Sequence, residues 1–351
     1  MDSSKLSFAG ITFMRYTAPC SNFCKFCSVG FKWFDDISID TQERIVQRFH
    51  AWAKTKPEPV HVGAAMQYTH AYLSEEESRR MRCMGDAGEN GILPLQMNGC
   101  RFMPSDELRE MFSRHKRAGY DSYMFTICGT PPVHDRWVGR AGEFEALMRM
   151  ARAGADTGFR REEKVFLSVD SIPVLREVLA RLDALPGPHS RRVFPFMYIG
   201  NAHNLEPKRI SYDTLLAVPE EAYPYMDLEY DRPGHPLALR NYASEREWCA
   251  QYAAGLLQEE EDRKYIMVRL TEENVPTLLT GDCEALYRHY CGRFASAFEQ
   301  IPPLAELCKM YGDTENDRLY LRFELERKWV MRYLRTQRPD LLEDAGLSVL
   351  P

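Results

Sequence analysis

Cys20, Cys24 and Cys27 lie within the eight residues Cys20-Ser21-Asn22-Phe23-Cys24-Lys25-Phe26-Cys27, a C-x3-C-x2-C pattern. An apolar run, Ile11 to Met14, precedes them and reads as a short strand. Three thiolates on one tight loop can hold three irons of a cubane cluster. Such clusters usually take four cysteines, so three leave one iron open, as catalytic metals keep one free position for a substrate or cofactor. The competing chemistry is zinc with a fourth ligand from elsewhere. Structural zinc sites usually pair two CxxC elements, or CxxC with HxxxH. The remaining cysteines, at 83, 100, 128, 249, 283, 291 and 308, are isolated and form no second CxxC.

The loop resembles the signature of the radical S-adenosylmethionine (radical SAM) enzymes. The likeness rests on the three cysteines, the strand before them, and the aromatic Phe26 preceding the last cysteine. It implies a 4Fe-4S cluster on Cys20, Cys24 and Cys27 whose open iron chelates the amino and carboxylate groups of S-adenosyl-L-methionine (AdoMet). Reduction of the cluster then cleaves AdoMet to methionine and a 5′-deoxyadenosyl radical, which takes hydrogen from the substrate. A flavodoxin or ferredoxin-type protein is the implied reductant.

Such a loop needs a scaffold, and the first two-thirds of the chain alternates strand and helix. Strands are expected at Ile11–Met14, Pro59–Ala64, Ile92–Met97, Tyr120–Cys128, Lys164–Val169 and Arg192–Ile199. Helices are expected at Asp40–Ala53, Ser74–Met84, Ser105–Ala118, Ala141–Ala155 and Ser171–Leu185. Ser74 before Glu75, Glu76 and Glu77 is a good N-cap, and Leu108, Met111 and Phe112 share a helical face. Repeated βα units imply an α/β fold with a parallel sheet. The pattern alone leaves a doubly wound sheet and a barrel open. The resemblance favours a partial six-stranded (βα)6 radical SAM barrel over residues 1–204. Residues 205–351 read as a mostly helical C-terminal region capping it, with helices at Ser244–Glu261, Asp282–Gln300, Leu304–Tyr311 and Asp317–Arg335.

In parallel α/β barrels the chemistry sits at the carboxyl ends of the strands. After strand two, Gly63-Ala64-Ala65-Met66-Gln67 stands where the resemblance implies a Gly-Gly-Glu-type sequence holding the AdoMet amino group. Gly63 matches, the second glycine is alanine, and Gln67 offers an uncharged acceptor. Gln96 and Asn98, two apart, share a strand face suited to a cofactor or polar substrate. Cys128 is placed to donate a hydrogen atom, or to fill a core as small buried cysteines do. His134 and Asp135 offer proton handling for a substrate, or a salt-bridged loop with Arg136. Ser168 and Asp170 suit ribose hydroxyls, or Asp170 or Ser171 caps the next helix. Gly200 follows strand six, where the resemblance implies backbone contact with the adenine.

Composition narrows the classes. The 351 residues are 44% hydrophobic with a formal net charge of −6, and no long basic run appears, so nucleic acid is not the expected partner. No apolar run reaches membrane-spanning length. The polar N-terminus lacks a signal-peptide pattern, and ten cysteines without one fit a reducing cytoplasm. The expected function is a radical SAM enzyme acting on a small polar biosynthetic metabolite: a sugar, nucleoside or amino-acid derivative. A peptide-modifying enzyme without auxiliary clusters is the alternative, since Cys249, Cys283, Cys291 and Cys308 lack a local chelate. A non-catalytic metal-binding or regulatory protein is the alternative of another class. Oligomeric state is open.

Overall fold

The computed structural model describes residues 8–16, 20–27, 37–67, 70–85, 94–196, 198, 200–226, 228–229, 238–239, 242–244, 264–298, 300–302, 304–312 and 318–339. Six parallel strands appear in chain order: β1 (Phe8–Tyr16), β2 (His61–Gln67), β3 (Leu95–Gln96), β4 (Ser122–Ile127), β5 (Arg160–Leu167) and β6 (His189–Pro195). They form two parallel ladders, β1-β2 and β3-β4-β5-β6, which are the arcs of a partial barrel.

Between the strands run α1 (Ile39–Ala53), α2 (Glu75–Met84), α3 (Ser105–Arg117), α4 (Pro131–Val138), α5 (Glu143–Asp156) and α6 (Leu175–Asp183). Their sequences explain their limits. Ser38 caps α1 by accepting from the Thr41 N–H at 3.2 Å, so the helix starts at Ile39, one residue before the expected start at Asp40. Ser74 and Glu77 close a reciprocal capping box on α2. On α3 the spacing of Leu108, Met111, Phe112 and His115 puts one face inward.

Each strand turns alternate residues to the helices. On β5, Val165 and Leu167 join Phe112, Phe144 and Leu179 in the larger core, while Ile11, Phe13, Val62 and Ala64 pack with Phe49 of α1 in the other. Fully burying a side chain such as Phe112 contributes ~1.5–3 kcal/mol. The opposite strand faces, carrying Thr126, Lys164 and Phe166, line the lumen.

The C-terminal region is more than helices. Lys264–Arg269 adds a seventh parallel strand beside β1, with Ile11 opposite Ile266. Leu319–Leu321 pairs antiparallel with Tyr242–Ser244. Helices run over Cys283–Phe298, Leu304–Tyr311 and Arg322–Gln337. Of the helix expected over Ser244–Glu261, residues 245–261 lie outside the described residues. The last helix docks at the carboxyl end of β6 through buried Glu324, which accepts from the Tyr198 N–H and from Arg209 Nη1 at 2.9 Å. The Arg209 guanidinium lies between the rings of Tyr198 and Tyr320, 4.2 and 4.0 Å from their centroids. No described helix is long and apolar enough to cross a membrane.

Candidate active site around the cysteine loop

The loop that leaves β1 is stitched to two other elements. Ser21 N–H donates to the Gly99 carbonyl at 2.8 Å, Phe23 N–H to Val138 at 2.8 Å, and Lys25 N–H to Trp137 at 2.9 Å. Trp137 and Val138 end α4, so two of the carbonyls that a helix leaves without partners are satisfied by loop amides. Two glycines make the approach possible. Gly99 has φ +75°, and a Cβ there would fall 1.9 Å from Cys20 Sγ. Gly139 has φ +66°, and a Cβ would fall 2.6 Å from the Phe23 carbonyl oxygen.

A buried carboxylate completes the clamp. Glu143, at the start of α5 and 2% exposed, accepts from Asn22 Nδ2 at 3.0 Å, from Gly99 N–H at 3.3 Å and from Arg140 Nη1 at 3.0 Å. Arg140 also donates to the Cys100 carbonyl at 2.5 Å and stacks on Phe102. Phe26 enters an aromatic nest of Phe196, Phe166 and Trp137, with centroids 5.0, 5.8 and 6.1 Å away.

All three loop cysteines are half-buried thiols. Burial pushes the Cys24 thiol up, and Cys20, Cys27 and Glu143 push it further by charge repulsion. Three thiolates crowded on one loop call for a cation to neutralise them, and bound metal inverts this local charge balance. Among the described residues no three His, Cys, Asp or Glu side chains converge on one ion-sized point. A cubane needs no such convergence, because each thiolate takes a different iron. The donor set therefore fits an iron–sulfur cluster better than one tetrahedral ion.

The other expected residues separate into groups. His134 is fully buried, and its Nδ1 accepts the Cys128 N–H at 3.1 Å, capping the end of β4. Burial lowers its pKa to about 4, so it stays neutral. Asp135 accepts from Gly142 N–H at 2.6 Å and Phe144 N–H at 2.9 Å, which satisfies the first turn of α5. Both side chains hold backbone amides of the fold in place. Ser168 is tied in the same way to Ser171, each hydroxyl accepting from the other's backbone N–H at 2.8 and 3.2 Å.

Gly63 is not at a strand end. β2 runs on to Gln67, three residues past the expected end at Ala64, and Gly63 sits mid-strand opposite Thr12. Gln67 is the last residue of β2, opposite Tyr16. Gln96 is exposed on β3, while Asn98 bonds both backbone groups of Thr126, accepting from its N–H at 2.9 Å and donating to its carbonyl at 3.3 Å. Cys128 is 2% exposed, packed with Phe26, Trp137 and Phe196 behind the loop, and its thiol is pushed up by burial and then by Cys24. Asp170 caps no helix. It accepts from Lys208 Nζ at 2.9 Å and Trp137 Nε1 at 3.1 Å, and these partners hold its carboxyl below the ordinary range against the effect of burial. Gly200 opens the 3-10 helix Gly200–Lys208 after β6. Asn22, Arg140 and Glu143 gave no sequence signal, since Glu143 lies 121 positions from Asn22.

No family model matches the sequence, and no curated protein matches it. Among solved structures the chain is similar to SuiB from Streptococcus suis bound to the precursor peptide SuiA. That likeness has a TM-score of 0.54 at 10% identity over 91% of this chain and 76% of that one. SuiB bound to S-adenosylmethionine gives 0.53 at 11% identity, over 91% and 77%. The chain has the radical SAM fold. Coproporphyrinogen III oxidase (HemN) from Escherichia coli, described as a radical SAM enzyme, also matches at 12% identity and a TM-score of 0.44, over 94% of this chain and 91% of that one. In the radical SAM fold of this chain, the cysteine loop opens at the carboxyl ends of β1 and β3, on the side where parallel barrels carry function.

Proposed function

We propose that this protein is a radical SAM enzyme. The observation that carries the reading is the C-x3-C-x2-C loop itself, three half-buried thiols locked onto the carboxyl side of a barrel with this fold. Cys20, Cys24 and Cys27 would each hold one iron of a 4Fe-4S cluster. The chemistry that cluster and AdoMet supply when bound is reductive cleavage of the sulfonium to methionine and a 5′-deoxyadenosyl group that takes hydrogen from the substrate.

The chain's own residues orient and shield. Glu143, Asn22 and Arg140 fix the loop, and Phe26 with its aromatic nest keeps water from its inner side. Gln67 at the end of β2 is assigned to the cofactor's amino group, Asp170 to its ribose, and the Gly200 backbone to its adenine. The reductant is a flavodoxin or ferredoxin-type protein.

The first substrate reading is a small polar metabolite. A peptide is the second, and the likeness to SuiB, bound to a precursor peptide in one structure, supports it. Anaerobic incubation with AdoMet, dithionite and each substrate class tests both readings. 5′-Deoxyadenosine formation should accelerate with the right class, and its absence under all conditions removes the proposal.

A further inference from the structure

The cysteine loop has an outer side as well as an inner one. Phe26 turns inward to its aromatic nest, whereas Phe23, between the first two cysteines, is 69% exposed. Five large hydrophobic side chains stand exposed among the described residues. Phe23, Phe102 and Tyr72 gather at this loop, while Leu216 and Met310 stand apart in later helices. Contacts on the same face join the three. Arg140 stacks on the Phe102 ring at 3.7 Å and donates to Asn22 Oδ1, beside Phe23, at 3.5 Å. The Tyr72 hydroxyl accepts from the Arg101 N–H, next to Phe102, at 2.7 Å. An exposed apolar patch with a polar rim marks an interaction surface.

The rim is positive on its outside. Lys25, exposed on the loop, makes no ion pair among the described residues. The other cations are paired, yet each stands further out than its acid. The Arg101 side chain is 54% exposed and that of its partner Glu107 36%. Arg136 is 56% exposed and Asp170, 3.6 Å away, 19%. Arg140 is 16% exposed and Glu143 2%. A protein that docks here meets the cations first and the carboxylates behind them. The face is therefore complementary to an acidic partner, although the whole chain carries a formal net charge of −6. Its position matters as much as its charge. Electron transfer falls steeply with distance, and Phe23 adjoins Cys24.

We propose that the Phe23–Phe102–Tyr72 face, rimmed by Lys25, Arg101 and Arg136, docks an acidic flavin one-electron carrier. The reduced flavin loses one electron and the cluster gains it, with no atom transferred. A flavin fits because its ring offers a planar apolar edge to the aromatic side chains while the carrier's acidic rim meets the cations. Redox encounters use small interfaces, in which a few aromatic and Arg anchors carry the binding. The proposal rests on the enzyme reading for the cluster that receives the electron, and it adds the partner's docking surface.

A flavodoxin is titrated against the reconstituted full chain, with an acidic ferredoxin as the comparison. Stopped-flow absorbance follows reoxidation of the flavodoxin hydroquinone. Phe102→Ser, off the loop, should weaken flavodoxin binding at least about fivefold, the loss of one aromatic anchor, and Phe23→Ala should do the same. Lys25→Glu should slow association and flatten its salt dependence. For Phe102→Ser and Lys25→Glu, iron content and dithionite-driven 5′-deoxyadenosine formation should match the wild type, because dithionite needs no docking face. Flavodoxin binding that these variants leave unchanged, or no binding at all, overturns the proposal. Equal loss of the dithionite-driven reaction overturns it too, since the residues would then serve loop assembly or the substrate. Tighter, patch-dependent binding of the ferredoxin overturns the flavin assignment. Self-association of the chain that Phe102→Ser abolishes would make the face an interface between copies and overturn it as well. Failure of the enzyme reading looks different: dithionite then yields no 5′-deoxyadenosine even in the wild type, while the flavodoxin titration still reads the docking face.

Discussion

Replacing Glu143 tests whether the cysteine loop is held from outside its own sequence. Glu143→Ala removes the acceptor for Asn22 at 3.0 Å, Gly99 N–H at 3.3 Å and Arg140 at 3.0 Å. Each buried donor left unpaired costs roughly 1–3 kcal/mol. Arg140 keeps the Cys100 carbonyl and is 16% exposed at its side chain, so its own loss is the smallest of the three. The expected destabilisation is about 3–5 kcal/mol, the range for breaking a buried charged pair. Glu143→Gln keeps an acceptor for two donors but loses the ion pair, and about 1.5–3 kcal/mol is expected. Denaturant unfolding gives these values. Hydrogen exchange in metal-free protein locates them: the Ser21, Phe23 and Lys25 amides should lose protection well before those of β4 and β5. An Asn22→Ala, Glu143→Ala double-mutant cycle should show a coupling of about 0.5–3 kcal/mol. A Glu143→Ala protein with unchanged stability and unchanged loop protection would refute the clamp.

Four further outcomes follow from the same geometry. His134 is neutral in the fold with a pKa of about 4, below its unfolded value of about 6.5. Its contribution is therefore complete above pH 6.5 and lost as pH falls toward 4, about 3 kcal/mol in all, and His134→Gln should flatten that part of a stability–pH curve. Gly99→Ala must place a Cβ 1.9 Å from Cys20 Sγ at φ +75°, so iron content should fall sharply while the helical circular dichroism remains. Asp170→Asn weakens the bonds to Lys208 and Trp137 and should cost about 1–3 kcal/mol; it should also weaken AdoMet binding more than cluster assembly, and unchanged AdoMet affinity removes the ribose role. Iron should settle near four per chain, as one cubane requires, and a count near eight would reveal a second cluster.

The cysteine loop was legible because its ligands are contiguous: spacing alone put three thiols on one turn and an aromatic beside them. The alternation of strands and helices was legible for the same reason, since each element carries its own periodicity. What sequence could not show depends on contacts between distant segments. Glu143 reads as an ordinary helix-start acid until the fold brings Asn22 to it. His134 and Asp135 look like proton-handling residues, and only the path of the backbone shows that they cap β4 and α5. Ala64, Ala65 and Met66 show no clear alternation of the kind that marks a half-buried strand, so sequence pattern does not reveal that β2 runs on to Gln67 with Gly63 mid-strand. Lys264–Arg269 carries little sequence pattern, being a six-residue strand after a charged stretch. Its place beside β1 is set by pairing, not by composition.

The central claim is that Cys20, Cys24 and Cys27 hold an iron–sulfur cluster that cleaves AdoMet. Its most direct test is anaerobic reconstitution with iron and sulfide, reduction by dithionite, and chromatography of the AdoMet products, run beside the Cys20→Ala, Cys24→Ala, Cys27→Ala triple variant. The wild-type chain should yield 5′-deoxyadenosine and methionine, and the variant should bind no cluster and yield neither. A wild-type protein with an intact, reducible cluster and no deoxyadenosine, or a triple variant that keeps full iron, would contradict it.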